Sequence, residues 1–178
     1  MKNPLLLIFA LVPVFARSQT VEFGNFKVAN QEIIYQKVFQ QDSITPAMLE
    51  GYYKTLPSVD KMQVKSDGLE FEINDIIVDY KKFGFSQQGT PNIIQTGKYS
   101  GKVTVGVKDG KYRVTFQSIQ LTGDIGYKKI TAKDNLTSYA CKNSGTVLSQ
   151  DWCRPNMLGL LDQVFTDKFQ FKKGKDDW

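Results

Sequence analysis

The chain has 178 residues, of which 41% are hydrophobic and 23% are charged, with 23 lysines and arginines against 18 aspartates and glutamates. This length suits one domain with a proper core, and the lysines and carboxylates are too interspersed to indicate a nucleic-acid interface, which needs positive charge clustered on one face. The sequence contains no histidine, which removes the commonest general base, the usual Ser-His-Asp triads and most zinc sites.

The N-terminus has the features of a secretory signal peptide. Lys2 supplies a positive start, residues 4–16 (PLLLIFALVPVFA) form an apolar run that is short for a bilayer span, and small residues stand where a signal peptidase reads the chain. We predict cleavage after Ser18, which leaves residues 19–178 as one domain, periplasmic or secreted and without a membrane span. Loss of the cations Lys2 and Arg17 would lower the formal charge from +5 to +3. The alternative is an uncleaved N-terminal anchor.

Cys141 and Cys153 are the two cysteines of the chain. In an oxidising compartment we predict a disulfide between them, which would close a short loop and contribute about 3 kcal/mol in the chain-entropy model. The alternative is a pair of metal ligands, but no third cysteine and no histidine accompany them. We expect no metal and no cofactor.

Two helices are predicted from their start signals and their apolar spacing. Residues 45–57 open with Thr45 as the N-cap and Pro46 at the first helical position, where its missing N–H costs nothing. Residues 156–169 open with Asn156 as the cap. Apolar side chains recur at helical spacing in both segments: Met48, Leu49, Tyr52, Tyr53 and Leu56 in the first, and Met157, Leu158, Leu161, Val164, Phe165 and Phe169 in the second.

The strands begin with residues 33–40 (IIYQKVFQ), which are rich in β-branched and aromatic residues. Two hairpins are then predicted from Asp-Gly pairs, the residues that a type I′ turn favours. A turn at Asp67-Gly68 pairs Val64 with Phe71, and on the polar face it pairs Lys65 with Glu70.

The second turn, at Asp109-Gly110, pairs Val107 with Tyr112, Val105 with Val114 and Val103 with Phe116 on one face. On the other face Gly106 lies opposite Arg113, and Lys108 lies opposite Lys111. Because the apolar and polar residues separate without conflict on both strands, we expect this register to be correct.

The apolar positions change phase twice along these strands. They are odd-numbered up to Ile73 and even-numbered from Ile76, and they are even-numbered up to Phe116 and odd-numbered from Ile119. Each change predicts a β-bulge, near Asn74-Asp75 and near Gln117-Ser118, and bulges bend a sheet. We therefore predict an α+β fold: a curved antiparallel sheet built from hairpins, in the order β-α-β-β-β-β-α, with helices packed on one face. Residues 83–97 and 123–154 are expected to be irregular connections.

The segment VTVGVKDGKYRVTFQSIQL (residues 103–121), with IIYQKVFQ upstream and VDYKK between them, resembles a domain of unknown function found in secreted Bacteroidetes proteins. The resemblance covers residues 33–121, and the hairpin KDGKYRV is its most recognisable part. It implies an exported α+β domain with a fold like that of the TATA-binding protein, and it brings no established activity or functional residues. Sharing that fold does not imply DNA binding.

A possible modification site precedes the first helix. Asp42-Ser43-Ile44 resembles the short acceptor motif for protein O-glycosylation in the same kind of bacteria, which makes Ser43 a candidate for glycosylation. Ser43 is equally suited to be a turn residue ahead of the helix.

Carboxylates are the remaining candidates for chemistry. Glu70 and Glu72 project from the same face of one strand about 7 Å apart, a separation that suits an inverting glycosidase. They are better explained as solvated cross-strand partners, because the predicted register puts Lys65 opposite Glu70. Asp75, Asp79 and Asp124 could gather around calcium, but they lack any recognised calcium-loop spacing.

Aromatic residues are numerous for a small domain, with 12 Phe and 8 Tyr. They either fill the core between sheet and helices, or they line a cavity for a small apolar ligand beside the C-terminal helix. We therefore expect a non-enzymatic binding or structural module of the cell envelope, whose partner is an envelope protein or glycan. The alternatives are a carrier of an apolar ligand and a carboxylate-dependent hydrolase.

Overall fold

The computed structural model of the protein describes residues 21–173. The predicted signal peptide and its cleavage site after Ser18 lie outside the described residues. Within this range the chain forms, in order, β1 (Glu22–Phe23), β2 (Phe26–Ala29), β3 (Glu32–Gln40), α1 (Pro46–Lys54), β4 (Val59–Lys65), β5 (Gly68–Ile77), α2 (Asn92–Thr96), β6 (Lys98–Lys108), β7 (Lys111–Asp124), β8 (Lys129–Asn135), α3 (Thr137–Ala140), β9 (Cys141–Lys142), β10 (Val147–Leu148) and α4 (Leu158–Phe169).

Eight strands form one open antiparallel sheet: seven follow the order β1-β2-β3-β7-β6-β5-β4, and β8 pairs with β7 beside this path. Strand β7 is long enough to have two neighbours on one side: β3 pairs with its first half, and β8 pairs with its second half. The predicted α+β fold is confirmed, and β3, α1, β4, β5, β6, β7 and α4 follow the predicted order.

Two segments predicted to be irregular contain regular elements. Residues 83–97 include α2, whose Ile93 and Ile94 are buried. Residues 123–154 include β8, α3 and the small hairpin of β9 and β10. These elements are short, so their apolar residues are too few to show a period in the sequence.

The hairpin of β6 and β7 has the predicted register, with Val107 opposite Tyr112 and Val103 opposite Phe116. Its turn residues Asp109 and Gly110 have φ of 48° and 70°. Positive φ at both central positions is what a type I′ turn requires. The Asp-Gly pair and the alternation of apolar residues therefore predict the same turn, and the structure confirms it.

The register predicted for the hairpin of β4 and β5 is wrong by two residues. Val64 lies opposite Leu69 and Lys65 lies opposite Gly68, so the turn is formed by Ser66 and Asp67. Gly68 belongs to the strand for a different reason: a Cβ at this position would lie 1.8 Å from the carbonyl oxygen of Val105. The glycine permits close pairing with β6 and does not make the turn.

Both predicted bulges are present. The pairing of β5 with β6 shifts between Ile73 and Ile76, and Asp75 has φ of 51°. The pairing of β6 with β7 shifts between Ser100 and Lys102, opposite Ser118, which has φ of 50°. Each bulge keeps the apolar residues beyond it on the buried face.

Helices α1 and α4 cover the same face of the sheet. In α1, Thr45 Oγ1 accepts a hydrogen bond from the backbone N–H of Met48, as the predicted N-cap requires. The predicted start of α4 is wrong: the helix begins at Leu158, and the side chain of Asn156 donates to the carbonyl oxygen of Gly89 instead of capping it. The apolar side of α4 is buried as predicted.

Candidate binding face

The face of the sheet opposite α1 and α4, here called the outer face, is open to solvent. One row of residues crosses four of its strands: Val38 of β3 pairs with Arg113 of β7, Arg113 with Gly106 of β6, and Gly106 with Gly68 of β5. Gly106 leaves the backbone of β6 bare in this row, so it forms the floor of a depression.

Most charges of the outer face are paired. Glu70 forms ion pairs with both Lys65 and Lys102, and Glu72 lies 2.9 Å from the ammonium of Lys61. Hydrogen bonds from the two lysines lower the pKa of Glu70 to about 2. A general acid needs the opposite shift, and both Glu70 and Glu72 contact lysines of neighbouring strands, as the alternative interpretation from the sequence expects.

The depression over Gly106, here called the glycine groove, has a volume of about 400 Å³. A Cβ added to Gly106 would meet no atom within 4 Å, so nothing covers this part of the strand. The groove is lined by Val38, Asp67, Gly106, Val107, Lys108, Lys111 and Arg113.

The glycine groove carries surplus positive charge. Among residues 21–173, neither Lys111 nor Arg113 has an acidic partner, and Lys108 lies 4.0 Å from the exposed Asp109. Asp67 is the single carboxylate among the residues that line the groove. The groove therefore differs from the β4-β5-β6 part of the outer face, where Lys61, Lys65 and Lys102 are matched by glutamates.

The aspartates considered for calcium do not form a site. Asp75 is exposed beside Lys98 at 3.8 Å, Asp79 accepts from the backbone N–H of Lys82, and Asp124 accepts from that of Gly126. Within the described part of the chain, no group of three or more acidic or cysteine side chains is placed to hold a metal ion.

The aromatic residues fill the space between the sheet and α4. The ring centroid of Phe165 lies 5.5 Å from that of Tyr35 and 5.1 Å from that of Phe116, in edge-to-face contacts. Phe169 and Tyr99 complete the cluster, and all five side chains are fully buried. These rings occupy the volume in which an apolar ligand would be carried.

Cys141 and Cys153 lie close together at the small hairpin. Cys141 pairs with Leu148 across β9 and β10, and the backbone N–H of Cys153 donates to the carbonyl oxygen of Ser149. In this structure both thiols are free and half-buried. Burial, with the neighbouring Cys153 as a second cause, raises the pKa of Cys141 to about 11. The disulfide stays a prediction for the exported protein.

Ser43 is exposed in the turn before α1, with φ of 60°. An exposed hydroxyl on a turn is accessible to a modifying enzyme, and glycosylation of Ser43 stays a prediction. The position also suits the alternative interpretation, a turn residue ahead of the helix.

A second groove, not anticipated from the sequence, lies at the other end of β7. It has a volume of about 380 Å³ and no charged lining residue. Tyr127, 89% exposed, stands at its edge beside Tyr139, whose hydroxyl donates to Asp134. Trp152 and Met157 lie beneath. The Gly126-Tyr127 turn that joins β7 to β8 was not singled out from the sequence, and the other walls of this groove come from distant segments.

The fold and this face define an α+β protein with an open antiparallel sheet, one side packed on helices and the other free. Among residues 21–173, no helix is long and apolar enough to cross a membrane. The chain is similar to the crystal structure of a DUF4468 family protein from Bacteroides ovatus, with 17% identity and a TM-score of 0.43 over 85% of this chain and 94% of that one. No family model and no curated protein matches the chain. The TATA-binding-protein-like fold expected from the resemblance stays a prediction.

Proposed function

We propose that the protein is an exported, non-enzymatic binding module that holds a component of the cell envelope on the outer face of its sheet. The observation that carries this proposal is the glycine groove, where Lys111 and Arg113 lie together and neither has an acidic partner among the described residues. Unpaired charges of one sign gathered in a groove favour an external partner of opposite sign.

The paired carboxylates support a binding role over hydrolysis. Glu70 is held ionised between two lysines, so it cannot supply the proton that a glycosidase gives to its leaving group. We expect Glu70→Gln and Glu72→Gln to leave envelope binding unchanged. A loss of binding in both variants would place the recognition site among the paired charges instead.

The filled core argues against the carrier alternative. A ligand between the sheet and α4 would have to displace Phe165 or Phe169, which contact aromatic rings of four strands. Removing such a ring from a packed core costs several kcal/mol, so the outer face is the better binding surface.

The test is co-sedimentation of the purified protein with the envelope fraction of its own host. The variant Lys111→Gln/Arg113→Gln removes two cations from the groove, and Lys128→Gln/Lys129→Gln removes two exposed cations from the start of β8. We expect the first variant to lose binding and the second, with the same net charge, to keep it. Equal binding by both variants would contradict the proposal.

A further inference from the structure

We infer that the glycine groove holds an acidic sugar, a saccharide unit that bears a carboxylate or a phosphate. This inference rests on the proposed function and names the partner of the same face. It follows from three properties of the groove: a bare floor, unmatched cations at its rim, and an apolar side chain beside them.

The floor suits the face of a compact ring. Gly106 offers strand backbone with no side chain above it, and a Cβ there would have open space. Side chains on neighbouring positions of the same face, such as Thr104 and Lys108, stand up around this gap. A pyranose ring can therefore approach the sheet more closely here than anywhere that a side chain covers the strand.

The rim suits an anion. Arg113 pairs with Gly106 across β6 and β7, and Lys108 pairs with Lys111 in the adjacent row of the same face. Three cations thus surround the bare backbone against one lining carboxylate, Asp67. The guanidinium of Arg113 can donate two parallel hydrogen bonds to a carboxylate or a phosphate, an arrangement that a neutral sugar cannot use.

The side wall suits a sugar better than a simple inorganic anion. Val38 pairs with Arg113 on the opposite side from Gly106, and its side chain is 49% exposed. An apolar surface beside a cation matches a sugar ring, which presents C–H groups next to its charged substituent. The groove volume of about 400 Å³ is in the range of small-ligand sites, and a stable protein partner would need a much larger contact area.

The experiment is a titration of the full mature protein, followed by amide chemical shifts and by calorimetry. The probes are trigalacturonate and glucose 6-phosphate as acidic sugars, maltotriose as the neutral match, inorganic phosphate, and vesicles of phosphatidylglycerol. We expect the two acidic sugars to bind and to shift the amide signals of Gly106 and Arg113, while maltotriose and inorganic phosphate bind at least about tenfold more weakly.

Variants then locate the site. Arg113→Gln should weaken binding of the acidic sugars by about tenfold or more, because it removes charge-assisted hydrogen bonds. Gly106→Val fills the floor without changing any charge, and a β-branched residue fits a strand, so it should abolish binding while the protein stays folded. Lys128→Gln/Lys129→Gln is the charge-matched control and should bind normally.

The outcomes separate this inference from the proposed function. If maltotriose and trigalacturonate bind equally well and Gly106→Val abolishes the binding of both, the inference of an acidic sugar is overturned, but the outer face remains the binding face. If only the phosphatidylglycerol vesicles bind, the inference of an acidic sugar is also overturned. The same holds if no probe binds although Arg113→Gln still abolishes envelope binding. If none of the groove variants weakens envelope binding, the proposed function itself is overturned.

Discussion

The hydroxyl of Tyr53 in α1 donates a hydrogen bond of 2.7 Å to the carbonyl oxygen of Phe169, the last residue of α4. Tyr112 of β7 donates to the same oxygen at 3.2 Å and accepts from the backbone N–H of Phe171 at 2.6 Å. The last carbonyls of a helix have no partner within the helix, so these two buried hydroxyls satisfy the end of α4 and join it to both α1 and the sheet.

Tyr53→Phe should therefore destabilise the protein without opening a cavity. Removing one hydroxyl from this junction is expected to lower the free energy of unfolding by about 1 kcal/mol. The measurement is urea unfolding, and Tyr52→Phe is the matched control, since the hydroxyl of its neighbour Tyr52 makes no hydrogen bond with the described residues. Equal losses in the two variants would show that the bond to Phe169 contributes nothing specific.

The same junction predicts a loss of stability in alkali. Burial raises the pKa of Tyr112 to about 12 and that of Tyr53 well above the ordinary value of 10.0. Because the folded state holds these protons more tightly than the unfolded chain, their contribution is fully present below pH 10.0 and is lost as the pH rises toward about 12. Urea midpoints measured over that interval should fall, and more gently in Tyr112→Phe; parallel curves would contradict the assignment.

Two glycines that face each other across β5 and β6 should differ sharply in how much stability they lose on substitution by alanine. A Cβ at Gly68 would lie 1.8 Å from the carbonyl oxygen of Val105, whereas one at Gly106 would meet nothing within 4 Å. We expect Gly68→Ala to lower the free energy of unfolding by about 3 kcal/mol and Gly106→Ala to change it by less than about 0.5 kcal/mol. Thermal unfolding of both variants decides this, and a stable Gly68→Ala protein would refute the tight pairing.

These glycines also show where sequence reasoning succeeds. Local alternation of apolar and polar residues was enough to place the Asp109-Gly110 turn and both bulges. The Asp67-Gly68 turn was misplaced because Gly68 is required by contact with Val105, a residue far along the chain, and no local pattern reports such a contact. A local Asp-Gly signal is therefore weaker evidence where the glycine also lies in a central strand.

For a similar reason, only part of the candidate site could be predicted from the sequence. The hairpin register already set Gly106 opposite Arg113 and Lys108 opposite Lys111 on the polar face. Which cations lack a partner depends on how β5 lies against β6, since Glu70 of β5 neutralises Lys102 of β6. Charge balance between strands depends on how the sheet is assembled. The excess of positive charge at the glycine groove could therefore not be predicted from the sequence.

The thiols of Cys141 and Cys153 give the last prediction, which concerns the protein after export. In an oxidising compartment we expect them to form a disulfide, each thiol giving up one proton and one electron to a disulfide oxidant. The bond would tie β9 to the segment that leads into α4, and its loss in Cys141→Ser/Cys153→Ser should cost about 2–3 kcal/mol of stability. Thiol titration of the denatured protein from its native host should find no free thiol, and the intact mass should rise by two hydrogens on reduction. Two free thiols in that protein would show that the cysteines act only as small buried residues of the core edge.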